Sequence, residues 1–113
     1  SGKFWDEFGH FATYNNNLVR GLYFAHTNHP RAAYDIFLRL ANEENEGNEI
    51  AQFELGRFLC DGVYGIDQNK EKGFFWVTEA AKQGFFRAQL YLSYHQEYQQ
   101  WCAKAAAQRY HKE

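Results

Sequence analysis

Apolar residues recur every three or four positions along most of the chain, the period of a helix with one buried face. In GFFWVTEAA (73–81) that period puts Gly73, Trp76, Val77, Ala80 and Ala81 on one side, and Phe75, Thr78, Glu79 and Lys82 on the other. No segment alternates cleanly as a half-buried strand does. Turn formers cluster at TYNNN (13–17), TNHP (27–30), NEGN (45–48), DGVYGIDQN (61–69) and Gly84. The pattern predicts an all-α chain of about six helices near 3–13, 17–27, 30–45, 49–61, 70–83 and 86–109, the last one long. Pro30 suits a first helical position, where its missing N–H leaves no bond unmade. Asn69 before KEKG offers a side-chain oxygen to the first free amides of the next helix.

Parts of the chain repeat. AQFELGRFL (51–59) returns 37 residues on as AQLYLSYHQ (88–96), matching Ala51 to Ala88, Gln52 to Gln89 and Leu55 to Leu92, with Ser93 in the place of Gly56. Trp76 with Ala80 and Ala81 returns only 25 residues on, as Trp101 with Ala105 and Ala106, so the last copy lacks 12 residues between its helices. No Gly or Pro lies between Ala88 and Trp101, and fusion of the last pair into one helix is the simplest expectation. A tight turn near His95 and Gln96 is the alternative. Backwards, AAYDIFLRLA (32–41) matches the fifth helix at a displacement of 40, aligning His29 with Asn69, Ile36 with Trp76 and Ala41 with Ala81. Trp5 in FWDEF marks a further partial copy.

With Ala51, Leu55, Gly56, Leu59, Gly62, Gly65, Lys72, Trp76, Ala80, Ala81, Gly84 and Ala88 in one register, residues 51–88 resemble a Sel-one-like repeat, a relative of the tetratricopeptide repeat. The turn is one residue longer than the family pattern, and Gly73 stands where Ala is usual. The resemblance weakens over 17–48 and 89–109. It implies a short α-solenoid of antiparallel helix pairs, each unit contacting its neighbours, with truncated end units as caps. Small residues at Gly56, Ala80 and Ala81 let helices cross closely, Gly62, Gly65 and Gly84 supply positive φ, and Trp76 and Trp101 wedge between units. Members of this family are typically adaptors, and some short ones are inhibitors.

At 113 residues the chain suits a single domain, 1–113, with a core that needs no disulfide or metal. Hydrophobic residues at 45% and aromatics at 19% exclude disorder. A net charge of −2 offers no basic footprint for nucleic acid, and no apolar run reaches a membrane span. Cys60 and Cys102, 42 residues apart and in no paired motif, point to two core thiols in a reducing, cytoplasmic setting. Ser1-Gly2 has the look of a cleavage scar.

Candidate chemistry is sparse. His26 and His29 have no third ligand at local spacing, Cys60-Asp61 is isolated, and no phosphate loop follows a strand. Neither a catalytic residue, a metal site nor a cofactor is expected. Binding residues are easier to find. Phe75 sits where the family pattern is polar, Phe85 and Phe86 replace a polar loop, and Tyr91, Tyr94 and Tyr98 form a stripe at helical spacing; exposed rings of this kind anchor interfaces. Glu43, Glu44 and Glu46, with Glu49, form an acidic edge around Gly47 that suits a basic partner. The expected function is non-enzymatic protein binding, as a dedicated inhibitor such as a bacterial immunity protein that neutralises a toxin or enzyme, in a monomer or weak homodimer. The alternatives are a fragment of a larger adaptor or scaffold, and, in a different class, a His/Cys enzyme or metal-binding helical protein.

Overall fold

The computed structural model describes residues 2–5, 11–14, 16–43, 47–63, 65–95, 98–100, 102 and 104. The regular elements are β1 (Gly2–Trp5), β2 (Phe11–Tyr14), α1 (Asn16–His26), α2 (Pro30–Ala41), α3 (Glu49–Asp61), α4 (Lys70–Lys82) and α5 (Phe86–Tyr94). The helical class expected from the spacing is what the molecule has, and three of the expected helices (α1, α3 and α4) lie within a residue or two of their observed ends, while α2 stops four residues early and α5 begins where expected but ends at Tyr94. The expected first helix, 3–13, is instead an antiparallel hairpin, Gly2 opposite Tyr14 and Trp5 opposite Phe11. Aromatic-rich stretches on either side of Gly9 favour two short strands over one helix.

Helices pack in sequence order, α1 on α2, α2 on α3, α3 on α4 and α4 on α5. Pro30 begins α2, Asn48 accepts from the Ala51 amide at 2.9 Å, and Asn69 accepts from the Lys72 amide at 3.1 Å. His29, aligned with Asn69, makes no such cap. The exit of α4 is a left-handed cap: Gly84 at φ +89° sends its amide to the Ala81 carbonyl (3.0 Å), and Phe85 donates to Ala80 (3.2 Å). The exit of α1 repeats it with Asn28 at φ +66°, the His29 amide reaching the Phe24 carbonyl at 2.9 Å.

Two contacts recur at the repeat spacing. A Cβ on Gly21 would lie 2.7 Å from Phe37 Cε1, and a Cβ on Gly56 would lie 2.5 Å from Val77 Cγ2; Phe37 and Val77 are the residues a displacement of 40 aligns. Gln52 donates to the Ala41 carbonyl at 3.3 Å, and Gln89 donates to the Ala81 carbonyl at 3.2 Å. Phe37 with Val77, Gln52 with Gln89 and Ala41 with Ala81 are positions aligned from sequence, whereas the match of Gly21 to Gly56 comes from the structure. The first contact closes a helix pair, and the second joins one pair to the next.

The fused last helix is not formed. Backbone at His95 is extended (φ −101°, ψ 106°) and helix resumes at Tyr98, so the turn near His95 is the arrangement adopted. Tertiary contacts override local propensity here: His95 and Tyr98 both pack on Phe74, at ring separations of 6.2 and 5.8 Å, and Lys104 pairs with Glu71 at 3.3 Å. The chain therefore folds back along α4.

Gly73 is also other than its sequence position implied. A Cβ there would overlap the Cys60 thiol and come within 2.7 Å of the Cys60 amide and 2.8 Å of the Gly56 carbonyl, so Ala does not fit. Gly73→Ala should lower unfolding stability by about 1–2 kcal/mol, overpacking of about 1–3 kcal/mol outweighing a gain of about 1 kcal/mol in helix propensity. Urea unfolding followed by circular dichroism reads this; a stabilised variant contradicts the close crossing.

Candidate interaction site

The nine candidate residues separate into three groups. Phe75, Phe86 and Tyr94 are exposed, at 47%, 65% and 81%. Phe75 projects from α4 and meets the Trp76 ring edge-on, ring centroids 5.1 Å apart. Its orientation follows from the inward face of α4, which is Gly73, Phe74, Val77 and Ala80. Phe74 takes the central place expected of Trp76, whose ring is only partly buried against the α1–α3 core. The side chain of Trp101 lies outside the described residues.

Phe85, Tyr91 and Tyr98 are half-buried against the core rather than exposed. Phe85 follows the left-handed Gly84, and the residue at that point of the cap folds onto the last turn of its helix. It stacks edge-on with Phe53 at 5.4 Å and touches both core clusters. Tyr91 meets the same Phe53 at 5.8 Å and lies 4.1 Å from the His95 ring. Because the helix breaks at His95, Tyr98 leaves the stripe and packs on Phe74. The expected stripe 91, 94 and 98 is thus split, with Tyr94 alone facing solvent.

Glu43 is exposed beyond the end of α2, whereas Glu44 and Glu46 lie outside the described residues. Glu49 opens α3, and Glu54 is buried with Arg57 3.4 Å away.

Sequence reasoning missed Leu90, which completes an exposed row with Phe86 and Tyr94 on α5, and Val19 and Tyr23 on α1. The signal was present as spacing, since 86, 90 and 94 are successive turns on one helical face and 19 and 23 are another pair. It also missed a cavity of about 210 Å³ between the end of α3, the start of α4 and the end of α5, lined by Cys60, Asp61, Gln68, Lys70, Phe74, Tyr91 and His95. Gln68 is held there by its bond to the Cys60 carbonyl, 2.9 Å.

The phenol that lines the cavity is held in its protonated form. The Tyr91 hydroxyl is withdrawn from solvent and, among the described residues, has no partner at ordinary hydrogen-bond geometry, the Cys60 thiol offering at most a weak one. Burial first, then the neighbouring Cys60 thiol and Asp61 carboxylate, push its pKa far above the ordinary phenol range, against a smaller opposing pull from Arg57. A hydrogen bond with the Cys102 thiol, then burial, raises Tyr98 as well. Both phenols stay protonated at neutral pH. Cys60 is buried and, like Cys102, forms no disulfide. Among the described residues no three His, Cys, Asp or Glu side chains are placed to hold a metal ion, and no helix is long and apolar enough to cross a membrane. His29 is a turn residue, its Nδ1 3.2 Å from the Thr27 hydroxyl.

No protein-family model matches the chain, and neither a curated protein nor a solved structure shows significant similarity to it.

An orphan buried hydroxyl weakens the fold, so Tyr91→Phe should raise stability at neutral pH by up to about 1 kcal/mol. The sign of its pH dependence follows from the raised pKa: the unfolded phenol ionises near pH ~10 while the folded one does not, so stability held below that pH falls as pH rises through it. Tyr91→Phe should flatten that alkaline fall. Melting curves from neutral to alkaline pH check both effects, and a loss of stability at neutral pH would mean the hydroxyl is bonded.

Proposed function

We propose that this chain is a non-enzymatic protein-binding module, a short α-solenoid of the Sel-one-like kind, acting as a dedicated inhibitor of another protein in the manner of an immunity protein that neutralises a toxin. The observation that carries the reading is the set of rings the core does not use. Phe75, Phe86 and Tyr94 stand in solvent, whereas Phe74 is buried and Phe85 and Tyr91 pack half-buried against the interior. Exposed large rings on rigid helices lose little conformational entropy on docking, and a few such anchors supply most of the free energy of an interface. The two recurring contacts, Gly21–Phe37 with Gly56–Val77 and Gln52–Ala41 with Gln89–Ala81, support the repeat architecture. An adaptor built from the same repeats would use the same rings.

One observation favours a reading from another class, a small-ligand or His/Cys site: the cavity that gathers Cys60, Asp61 and His95. Its phenol is a poor base and its thiol is buried, so binding of a protein through the exposed rings is the better account.

The test is capture of a partner from the source cell by wild type and by a Phe75→Ser, Phe86→Ser, Tyr94→Ser variant. Helicity and melting should be unchanged, while capture weakens by about 2 kcal/mol or more, roughly 30-fold, if these rings are anchors. Phe85→Ala provides the contrast, losing about 2–3 kcal/mol of stability as a core ring does. Undiminished capture by the triple variant would move the site elsewhere, and Cys60→Ser with His95→Ala would then show whether the cavity is involved.

A further inference from the structure

The repeat register aligns α1 with α3 through the positions where each crosses its partner helix, and α5 through the sequence match. Gly21 under Phe37 corresponds to Gly56 under Val77, and the sequence match carries Gly56 on to Ser93. The same register makes Leu18, Phe53 and Leu90 equivalent, one position apart from a second equivalent set, Val19, Glu54 and Tyr91.

Burial along these two sets runs in opposite directions. Leu18 and Phe53 are buried and Leu90 is exposed; Val19 is 54% exposed, Glu54 is buried and Tyr91 is half-buried. The first set is covered wherever a further unit follows, and the second wherever a unit precedes. The contact is seen directly between α3 and α5, where Tyr91 stands edge-on to Phe53 at 5.8 Å with the Arg87 guanidinium 5.1 Å over the same ring. Tyr23 on α1 continues the open trailing face at 63% exposure, and its equivalents, Phe58 and His95, are half-buried. Among the described residues the two halves of one internal contact are thus left open, one on α1 and one on α5. Leu90, between Phe86 and Tyr94, lacks the helix that covers Phe53. Val19 and Tyr23 lack the helix that Tyr91 finds.

We propose that the occupant of each end is a second copy of this chain, α1 of one molecule stacking on α5 of the next with Val19 and Tyr23 against Leu90, as Tyr91 stacks on Phe53 within the molecule. A contact between two different faces is heterologous and leaves an open half at each end of the dimer, so association continues into short linear oligomers as concentration rises. This deepens the interaction-module reading by naming one partner and the surfaces it uses, and it rests on that reading for the α5 face.

The test uses purified protein alone, with mass by sedimentation from micromolar to millimolar concentration. Wild type should pass from monomer to dimer and beyond. Val19→Arg and Leu90→Arg, changes at solvent-facing positions, should each remain monomeric with unaltered circular dichroism and melting. An equimolar mixture of the two should form a dimer and stop there, because Val19→Arg keeps an intact α5 face, Leu90→Arg keeps an intact α1 face, and the other two ends are blocked. Should either arginine disturb folding, Tyr23→Glu and Tyr94→Glu form the equivalent pair. Wild type that is monomeric throughout overturns the proposal and leaves the α5 face to a different protein, which capture with the ring variants reads separately. Self-association lost in Leu90→Arg but kept in Val19→Arg overturns it in favour of a symmetric α5-to-α5 dimer. A mixture that stays monomeric overturns the pairing of α1 with α5.

Discussion

The crossing of α3 and α4 at Gly56 and Gly73 is the contact on which the rest of the molecule depends. Each glycine faces the other's carbonyl: a Cβ on Gly56 would lie 2.7 Å from the Gly73 oxygen, and one on Gly73 would lie 2.8 Å from the Gly56 oxygen. Two backbones brought so close let Val77 and Cys60 fill the space that side chains at the crossing would have taken. Two helical glycines forgo about 2 kcal/mol of helix propensity between them, which only packing at the crossing can offset. The close approach also fixes how far Phe74 reaches beyond α3. That reach places its ring beneath His95 and Tyr98, and so sets where the chain after α5 must turn.

What the crossing fixes, the loops are free to vary. The turn between α1 and α2 is short and ends in the Asn28 cap, while that between α3 and α4 carries the Val63–Ile66 bridge. Yet Gly21 meets Phe37 as Gly56 meets Val77. Joining one pair to the next falls to a side-chain amide, Gln52 or Gln89, on the last carbonyls of the preceding helix. The first joint is further locked by Gln83, which donates to both the Gly47 carbonyl (3.1 Å) and Gln52 (2.9 Å). Gln52 is buried and Gln89 exposed, yet both make the same bond.

Much of this was legible in residue order. Spacing located α1 to α4 and the start of α5, and Gly62, Gly65 and Gly84 have the positive φ that their places in turns required. The glutamine and alanine matches that defined the repeat turned out to be bonded pairs. What was not legible depended on distance between elements. Gly73 looked like a missed alanine because nothing local marks a backbone four residues from the Val77 that covers Gly56. Phe85 looked like a loop residue, although its position after a left-handed glycine was the local signal for burial. The last helix pair looked fused because only the distant Phe74 ring, not any Gly or Pro, turns the chain at His95. The N-terminal segment carried a period that suited a helix and a composition that suited strands.

The candidate site divides along the same line. Rings answering to a repeat position that a neighbour covers, such as Tyr91, went inside; rings answering to a position with no neighbour, such as Tyr94, stayed out. Stacked-unit proteins usually need end units with polar outer faces to remain separate in water. On this chain α1 shows Val19 and Tyr23, and α5 shows Phe86, Leu90 and Tyr94. A helix that packs apolar residues on two sides leaves one of those sides open where fewer helices adjoin it, as α1 adjoins α2 and α5 adjoins α4. The exposed apolar rows on α1 and α5 therefore follow from the same spacing that makes the interior stable.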